Sequence, residues 1–372
     1  MQRSVYKVSR VRPQDVRAEL ERLWDSNLTV REGVAHKYEW LYRDAPELPT
    51  AVFLLDAETD GAHAWVGTAG VGVRRIWIEG REGLAGLLAD LAVDRAHRSV
   101  GPALTLVRTV KAWVASEFEV AWGFPNFQAV GVFKRAGYAA LGVTGRWVRV
   151  LRHGAYAARL QETPLPRMPA SMKRAVERAV AVPAVASLAG GTIDVVRLIQ
   201  GAPQAIAAAR RVRLRWLDAP DERIDQIWAR ARGAYPVVGV RSSRFLRWRF
   251  PARDGLRVAV AEDRDGNVPR AYAIIEHVGD AAHIRDLFGE RDAIGTLLDL
   301  LPAALYPSGA VAVSMRYLGA PWLVEALEAR GFSRRPGGRT VAVGVGDAAD
   351  AATRAVLTDV GAWYLTDADE DT

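Results

Sequence analysis

Between Leu91 and Leu104 the chain reads Leu-Ala-Val-Asp-Arg-Ala-His-Arg-Ser-Val-Gly-Pro-Ala-Leu. An apolar, strand-forming run stops in a turn with a small-residue tip. A helix is expected to begin at Pro102 or Ala103, because proline's missing N–H has no intrahelical partner to lose in a first turn. The free N–H groups and partial positive charge of a helix start can hold a phosphate. Gly101 and Ala103 leave room for a bulky anion against the backbone, and Arg95, His97 and Arg98 add positive charge nearby. A tight strand-to-helix turn with no ligand would use the same residues.

A second segment, Asn126 to Tyr138, follows a short apolar strand, EVAWGF at 119–124. Asn126 comes after Pro125 and can cap a helix. Ala129, Val132 and Phe133 fall on one inward face, and Gly137 is placed to end the helix as its C-cap. A cap and a core stripe would account for this segment without a ligand.

In this order and at this separation, the two segments resemble the GNAT superfamily of acyl-CoA N-acyltransferases. That superfamily carries Gln/Arg-x-x-Gly-x-Gly/Ala after its fourth strand. Here Arg98, Gly101 and Ala103 occupy those places, preceded by Leu91-x-Val93. It also carries Asn-x-x-Ala-x-x-x-Tyr-x-x-x-Gly-Phe after its fifth strand, and Asn126, Ala129, Phe133, Gly137 and Tyr138 fall in register. The specific match covers residues 82–138, and the coarse order of elements extends it over 1–151.

The resemblance implies that acyl-CoA (acetyl-CoA as the expected co-substrate) lies in a splay between the fourth and fifth strands. Its pyrophosphate would rest on backbone N–H groups of Arg98, Ser99, Val100, Gly101, Ala103 and Leu104. The pantetheine arm would bond to main chain at Leu91, Ala92 and Val93 and touch Asn126, with Phe133 beside it. A neutral amine would attack the thioester directly, which suits a chain without cysteine. Phe133 stands where the superfamily often has a tyrosine that protonates the leaving thiolate. That departure is tolerable, since a positioned acid is worth about 10²–10⁴-fold. Pro102 removes one N–H from the anion loop.

A general base is less well marked. Asp90 precedes the Leu91-x-Val93 stretch, and strand alternation puts it on the opposite face from those two. If that face lines the acceptor cleft, Asp90 could take a proton through water. It could equally be a solvated strand residue or an arginine's ion-pair partner. His97 and Glu82 are weaker candidates.

The elements that must position these residues follow from periodicity. Residues 5–11 read as a strand, and 14–27 as a helix with Val16, Leu20, Leu23 and Trp24 on one face. A second helix is expected near 30–43. Two strands joined by a turn ending Asp60-Gly61 come next, then a strand at 82–93, a helix at about 102–115, and strands filling about 138–151. Residues 153–190, rich in Ala and Pro with a plausible helix at 170–182, read as a connector.

The remainder repeats the order of the first part. Tyr38-Glu39-Trp40-Leu41-Tyr42 has a counterpart in Leu246-Arg247-Trp248-Arg249-Phe250, Asp60-Gly61 in Asp265-Gly266, and Arg135-Ala136-Gly137-Tyr138 in Ala329-Arg330-Gly331-Phe332. The fold class expected is α/β (α+β), with two GNAT-like domains, each a mixed central sheet flanked by helices. The first is set at 1–152, the linker at 153–190 and the second at 191–372. The second is expected to be degenerate. Its loop after Phe288 lacks the anion motif and carries Glu290 and Asp292, and Ala320 stands where Asn126 stands.

Composition sets the outer bounds. The chain has 372 residues, 50% of them apolar and 25% charged, with a net charge of +7. That is enough apolar residue for large cores, so wholesale disorder is excluded. Basic residues are 45 Arg against 5 Lys, a bias that reads as genomic rather than functional. Cysteine is absent, which excludes disulfides, thiolate metal sites and a cysteine nucleophile. The six histidines show no ligand spacing, so no metal is expected.

No apolar run approaches ~18 residues and the N-terminus has no leader pattern, so no membrane partner and a cytoplasmic location are expected. Arg213 and Arg215, alternating with Leu214 and Trp216, read as the solvated face of a strand, and nucleic acid is not expected. The acidic run Asp367–Asp371 reads as a solvated tail. The expected partner is a small-molecule amine, with a homodimer left open. Two other functions fit parts of the sequence: a Fem-like transfer from aminoacyl-tRNA, and a non-catalytic CoA-binding or structural role.

Overall fold

Asp60 and Gly61 both take left-handed backbone angles (φ +52° and +78°), the geometry of a tight hairpin turn, and they join the strand Ala51–Thr59 to the strand Ala62–Ile78 as their identity suggests. The computed structural model describes residues 4–30, 32–156 and 203–371. The expected connector helix at 170–182 lies outside the described residues.

The first part runs β1 (Val5–Val11), α1 (Arg17–Asn27) and α2 (Val34–Lys37), which continues as a π-helical turn over Tyr38–Arg43. Then come β2 (Ala51–Thr59), β3 (Ala62–Ile78), β4 (Arg81–Val93), α3 (Val100–Glu117), β5 (Val120–Gly123), α4 (Phe127–Arg135), β6 (Ala139–Val143) and β7 (Gly145–Val150). The later part runs β8 (Val212–Leu217), α5 (Glu222–Ala231), β9 (Val237–Gly239), α6 (Ser243–Arg249), β10 (Leu256–Asp263), β11 (Pro269–Val278) and β12 (Ala281–Gly289). It ends with α7 (Arg291–Leu305), β13 (Ala312–Gly319), α8 (Pro321–Glu328), β14 (Ser333–Arg335), β15 (Thr340–Val345), α9 (Ala351–Thr358) and β16 (Trp363–Leu365).

The architecture is mixed α/β, as expected, and the strands divide into two similar arrays. One is ordered β1-β2-β3-β4-β5-β15-β6 and the other β8-β10-β11-β12-β13-β7-β14. Each is antiparallel except for one parallel pair, β4 with β5 and β12 with β13. Each array borrows a strand from the other part of the chain. β15 lies between β5 and β6, with Gly344 opposite Ala121 and Val341 opposite Gly142. β7 lies between β13 and β14, with Val148 opposite both Ser314 and Ser333. Short pairings of β3 with β9, β9 with β16, and β16 with β13 join the two arrays.

The helices follow their stripes. Leu20, Leu23 and Trp24 of α1 are buried, and α3 buries Leu106, Val107, Val110 and Val114 against one face of the first array. The related segments around Trp40 and Trp248 meet face to face. Their rings stack at 4.8 Å, and each indole N–H donates to the other's main-chain carbonyl, at 3.1 and 2.8 Å.

Two charge patterns differ from the sequence reading. Arg213 and Arg215 are not simply solvated, because both reach the buried Glu262 carboxylate, which also takes Arg223. The acidic run is not a solvated tail. Asp367, Asp369 and Glu370 are buried. Arg241, wholly buried, donates to both oxygens of Asp369 (2.9 and 2.6 Å) and to Asp286 (3.2 Å). Asp286 also accepts from the hydroxyls of Tyr272 and Thr366, each at 2.6 Å. Asp367 pairs with Arg285, and Glu370 with Arg339. Burial disfavours the Arg241 charge, but Asp286 and Asp369 more than offset this and raise its pKa. Arginines far away in sequence draw the carboxylates inside, a pairing that no local pattern reveals.

Arg241→Ala would leave two buried carboxylates without their cation, and we expect a loss of about 3–5 kcal/mol in urea unfolding. Gly344 touches the Tyr138 ring closely enough that any side chain must displace it. Gly344→Val is expected to cost about 1–3 kcal/mol. Because β7 and β15 are exchanged, tryptophan fluorescence and far-UV circular dichroism should shift together in one transition. Two separate transitions would show that the arrays unfold independently.

Candidate active site

Strands β4 and β5 pair only over Gly86–Leu88 against Ala121–Gly123. Beyond Leu88 and Gly123 they diverge, and the chain leaves β4 toward α3 and β5 toward α4. The antiparallel ladder on the other side of β4 is also interrupted. Ala89 faces Gly70 and Ala92 faces Thr68, so Asp90 and Leu91 form a bulge, with Asp90 at φ +54°. The splay therefore exposes main-chain N–H and C=O groups of residues 89–93 along one edge.

At the mouth of the splay, α3 begins at Val100, two residues earlier than expected, after a 3₁₀ turn over Arg95–His97. Ser99 occupies the N-cap position, but its side chain does not cap the helix. The N–H groups of Val100 and Gly101 thus have no intrahelical acceptor, and Pro102 has none to offer. A Cβ built on Gly101 would meet nothing within 4 Å, and its backbone is not left-handed. Neither packing nor conformation requires glycine there, whereas close approach of a ligand would. Ser99, Val100 and Gly101 are exposed, and Ala103 and Leu104 are half-buried. These residues fit the pyrophosphate that the resemblance implies.

Arg98 is exposed at the same turn. Its guanidinium donates to Asn27 at 2.9 Å, so its side chain ties the loop to α1, while its own N–H and that of Ser99, both expected to face the pyrophosphate, are taken by the carbonyls of Arg95 (3.2 Å) and His97 (2.8 Å). Asn126 N-caps α4, accepting from the N–H groups of Gln128 (3.1 Å) and Ala129 (3.0 Å). The next residue, Phe127, is 87% exposed, and Val100 is also exposed. The two start the helices that flank the splay, which gives its rim apolar surface. Ala92 and Val93 are buried in β4, and Leu91 is half-buried against the α3–α4 core.

Behind the splay an apolar pocket is lined by Gly70, Leu88, Ala89, Leu91, Phe133 and Tyr138. Phe133 and Tyr138 lie 5.2 Å apart, ring to ring. The buried Tyr138 hydroxyl has no hydrogen-bond partner, and burial raises its pKa, so it stays protonated. Sequence reasoning passed over this group because the superfamily pattern places phenylalanine at that position. An aromatic hydroxyl beside Phe133 was the available signal.

Asp90 lies across the sheet from Leu91, on the α2 face, and is only 8% exposed. It is neither solvated nor bound to an arginine. Lys37 pairs with it at 2.8 Å and the Tyr42 hydroxyl donates to it at 2.7 Å. Burial disfavours the Lys37 ammonium, but Asp90 and Asp371 outweigh this and raise its pKa. Burial and then the Asp90 charge push the Tyr42 phenol well up. The other base candidates are engaged elsewhere. Glu82 pairs with Arg75 and Arg232, and His97 bonds to Tyr6 at 3.0 Å.

The corresponding helix start in the later array is closed. Glu290 and Asp292 at the start of α7 are both held by Arg270, and Arg230 also takes Glu290.

No family model and no curated protein matches the sequence. The structure does have similar solved structures. One is a conserved protein of unknown function from Enterococcus faecalis V583, described as a probable N-acyltransferase. It has a TM-score of 0.60 and 10% identity, over 91% of this chain and 72% of that one. A GCN5-related N-acetyltransferase from Anabaena variabilis gives 0.56 and 12%, over 91% and 72%. Another from Kribbella flavida gives 0.55 and 11%, over 91% and 71%. The order of strands, the splayed parallel pair and these likenesses together show that the chain has the GNAT fold, that of the GCN5-related N-acetyltransferases.

Proposed function

We infer that the protein is an acyl-CoA-dependent N-acyltransferase that moves an acetyl or other acyl group to an amine. One observation carries this reading: the open first turn of α3, with Gly101 facing empty space, stands at the mouth of the β4–β5 splay. Acyl-CoA would rest its pyrophosphate on the N–H groups of Val100 and Gly101, and lay its arm along residues 91–93.

The amine nitrogen would attack the thioester carbon, forming C–N as C–S breaks. The sulfur leaves as thiolate. Tyr138, the polar side chain among those lining the apolar pocket, would donate a hydrogen bond there. The Asp90 carboxylate, held by Lys37 and Tyr42, would accept the amine's proton from the opposite face. Reading the two arrays as copies of one domain, at 1–152 and 191–372, only the first retains an open helix start.

Calorimetry with acetyl-CoA tests this reading. The wild type should bind, and Gly101→Glu should weaken binding by about tenfold or more. A carboxylate at a helix start is stabilising, so the variant should keep its melting temperature. A wild type that does not bind, or a variant that binds as well, would exclude the site. Tyr138→Phe should leave the KM for acetyl-CoA unchanged and lower kcat by about tenfold or more, read as thiol release. An unchanged kcat would remove Tyr138 from the mechanism.

A further inference from the structure

In the later array, three arginines stand side by side across three strands. Arg316 of β13 is opposite Arg146 of β7, and Arg146 is opposite Arg335 of β14. Residues directly opposite in antiparallel pairs share a face, so the three side chains project from the same side of the sheet. Neighbouring strands lie about 4.8 Å apart, which holds the row within about 10 Å. Arg146 and Arg335 are exposed, and the Arg316 side chain is partly so. Like charges placed directly opposite one another destabilise a sheet, so the row is unfavourable as it stands.

Nearby carboxylates do not relieve it. Asp367 pairs with Arg285 at 2.8 Å and Glu370 with Arg339 at 3.0 Å, and Arg316 approaches those two acids only at 3.9 and 3.7 Å. Among the described residues, neither Arg146 nor Arg335 has an ion pair or a side-chain hydrogen bond. The positive field reaches the next row, where His283 bonds through Nδ1 to the Ser314 hydroxyl at 2.7 Å. Burial, followed by the charges of Arg285 and Arg146, lowers the His283 pKa to about 4 against the opposing pull of Asp367 and Glu276. The row also differs from Arg74, which is 3% exposed and makes no hydrogen bond through its three guanidinium nitrogens. Arg74 lies over the rings of Trp248 (4.4 Å) and Phe245 (5.2 Å), in a cavity that Asp369 also lines and that is too small for a substrate. Arg146 and Arg335 open directly to solvent.

We propose that Arg146, Arg316 and Arg335 form a binding site for a small soluble phosphate monoester, held through its dianionic phosphate group. The site is separate from the β4–β5 splay and does not rest on the acyltransferase reading. Guanidinium forks match phosphate oxygens in paired, charge-assisted hydrogen bonds. Two cations without a counterion suit a dianion better than a single carboxylate. The open charge also covers one phosphate rather than a chain of them. On the β12 side Arg285 is already held by Glu276 and Asp367, and on the other side β14 pairs with β7 alone. A bound phosphate would turn repulsion across β13, β7 and β14 into attraction, at the place where the exchanged strand β7 is inserted.

The test titrates the full chain with methyl phosphate, a monoester dianion at about pH 7.5, and with dimethyl phosphate, a diester monoanion, in about 0.15 M sodium chloride. The readout is the His283 imidazole resonance, identified by its loss in His283→Gln. Methyl phosphate should shift that resonance saturably and bind at least about tenfold more tightly than dimethyl phosphate. An unmoved resonance, or equal binding of the two esters, overturns the proposal without recourse to an arginine variant. Calorimetric binding of methyl phosphate with the His283 resonance unmoved would place the ester elsewhere, as at the start of α3, and overturn it too. The double variant Arg146→Gln, Arg335→Gln should weaken methyl phosphate by about tenfold or more. Its ligand-free melting temperature should hold or rise, because the repulsive row is gone. Methyl phosphate should raise the melting temperature of the wild type and leave that of the double variant where it was. A folded double variant that binds the ester as tightly as the wild type overturns the proposal.

Discussion

The structure depends on a reciprocal loan of strands. β5 carries one wall of the splay, yet it pairs with β4 over only three register positions, and its other edge is covered by β15. Gly123, where β4 and β5 part, is opposite Ala342. The splay in the first array therefore has a wall held by a strand from the far end of the chain. β7 repays this by completing the second array between β13 and β14. Strand pairing is worth little for an isolated short pair and much more within a covered sheet, so neither array is complete without the other.

Across the sheet from the α3–α4 core, the two parts close against each other by contacts of a different kind. The mutual Trp40–Trp248 stack fixes the approach of the two segments. The final residues then fold back toward the first array, where Trp122 donates to the Asp369 carbonyl at 3.1 Å and Lys37 reaches the Asp371 carbonyl at 3.3 Å. The cluster around Arg241 is buried and densely bonded, which makes its geometry well defined and its members costly to remove singly. Arg74, which lines the same cavity as Asp369 of this cluster, makes no hydrogen bond through its guanidinium. That contrast within one cavity marks its difference from the arginines that hold the fold together.

Much of this was legible from the residues. Asn126 caps α4, Gly137 takes the left-handed angle that ends it (φ +87°), and the α1 and α3 stripes are buried as their spacing indicates. The turn between β4 and α3 was legible because a strand, a small-residue turn and a helix start are local features. The exchange was not, since alternation tells which face of a strand is apolar but not which strand lies beside it. The burial of Asp367–Glu370 was hidden for a related reason: their arginine partners lie far off in the sequence. Arg74 was one arginine among 45, and only its missing hydrogen-bond partners set it apart. Lys37 and Tyr42 looked like ordinary helix residues until the bulge brought Asp90 to them.

The exchanged strands also set an order of events at the ribosome. When residues 4–143 have emerged, β5 and β6 each have an open edge facing the gap that β15 will fill, and most of the chain has still to be made. Unpaired edges of that kind template unwanted strand addition between nascent chains. Pairings between residues so distant in sequence also form late and slowly. The groove that the first array is built around can close only after synthesis is nearly finished, so a stalled or truncated product would carry all of β4, β5 and the turn between them and still lack the strand that holds the splay rigid.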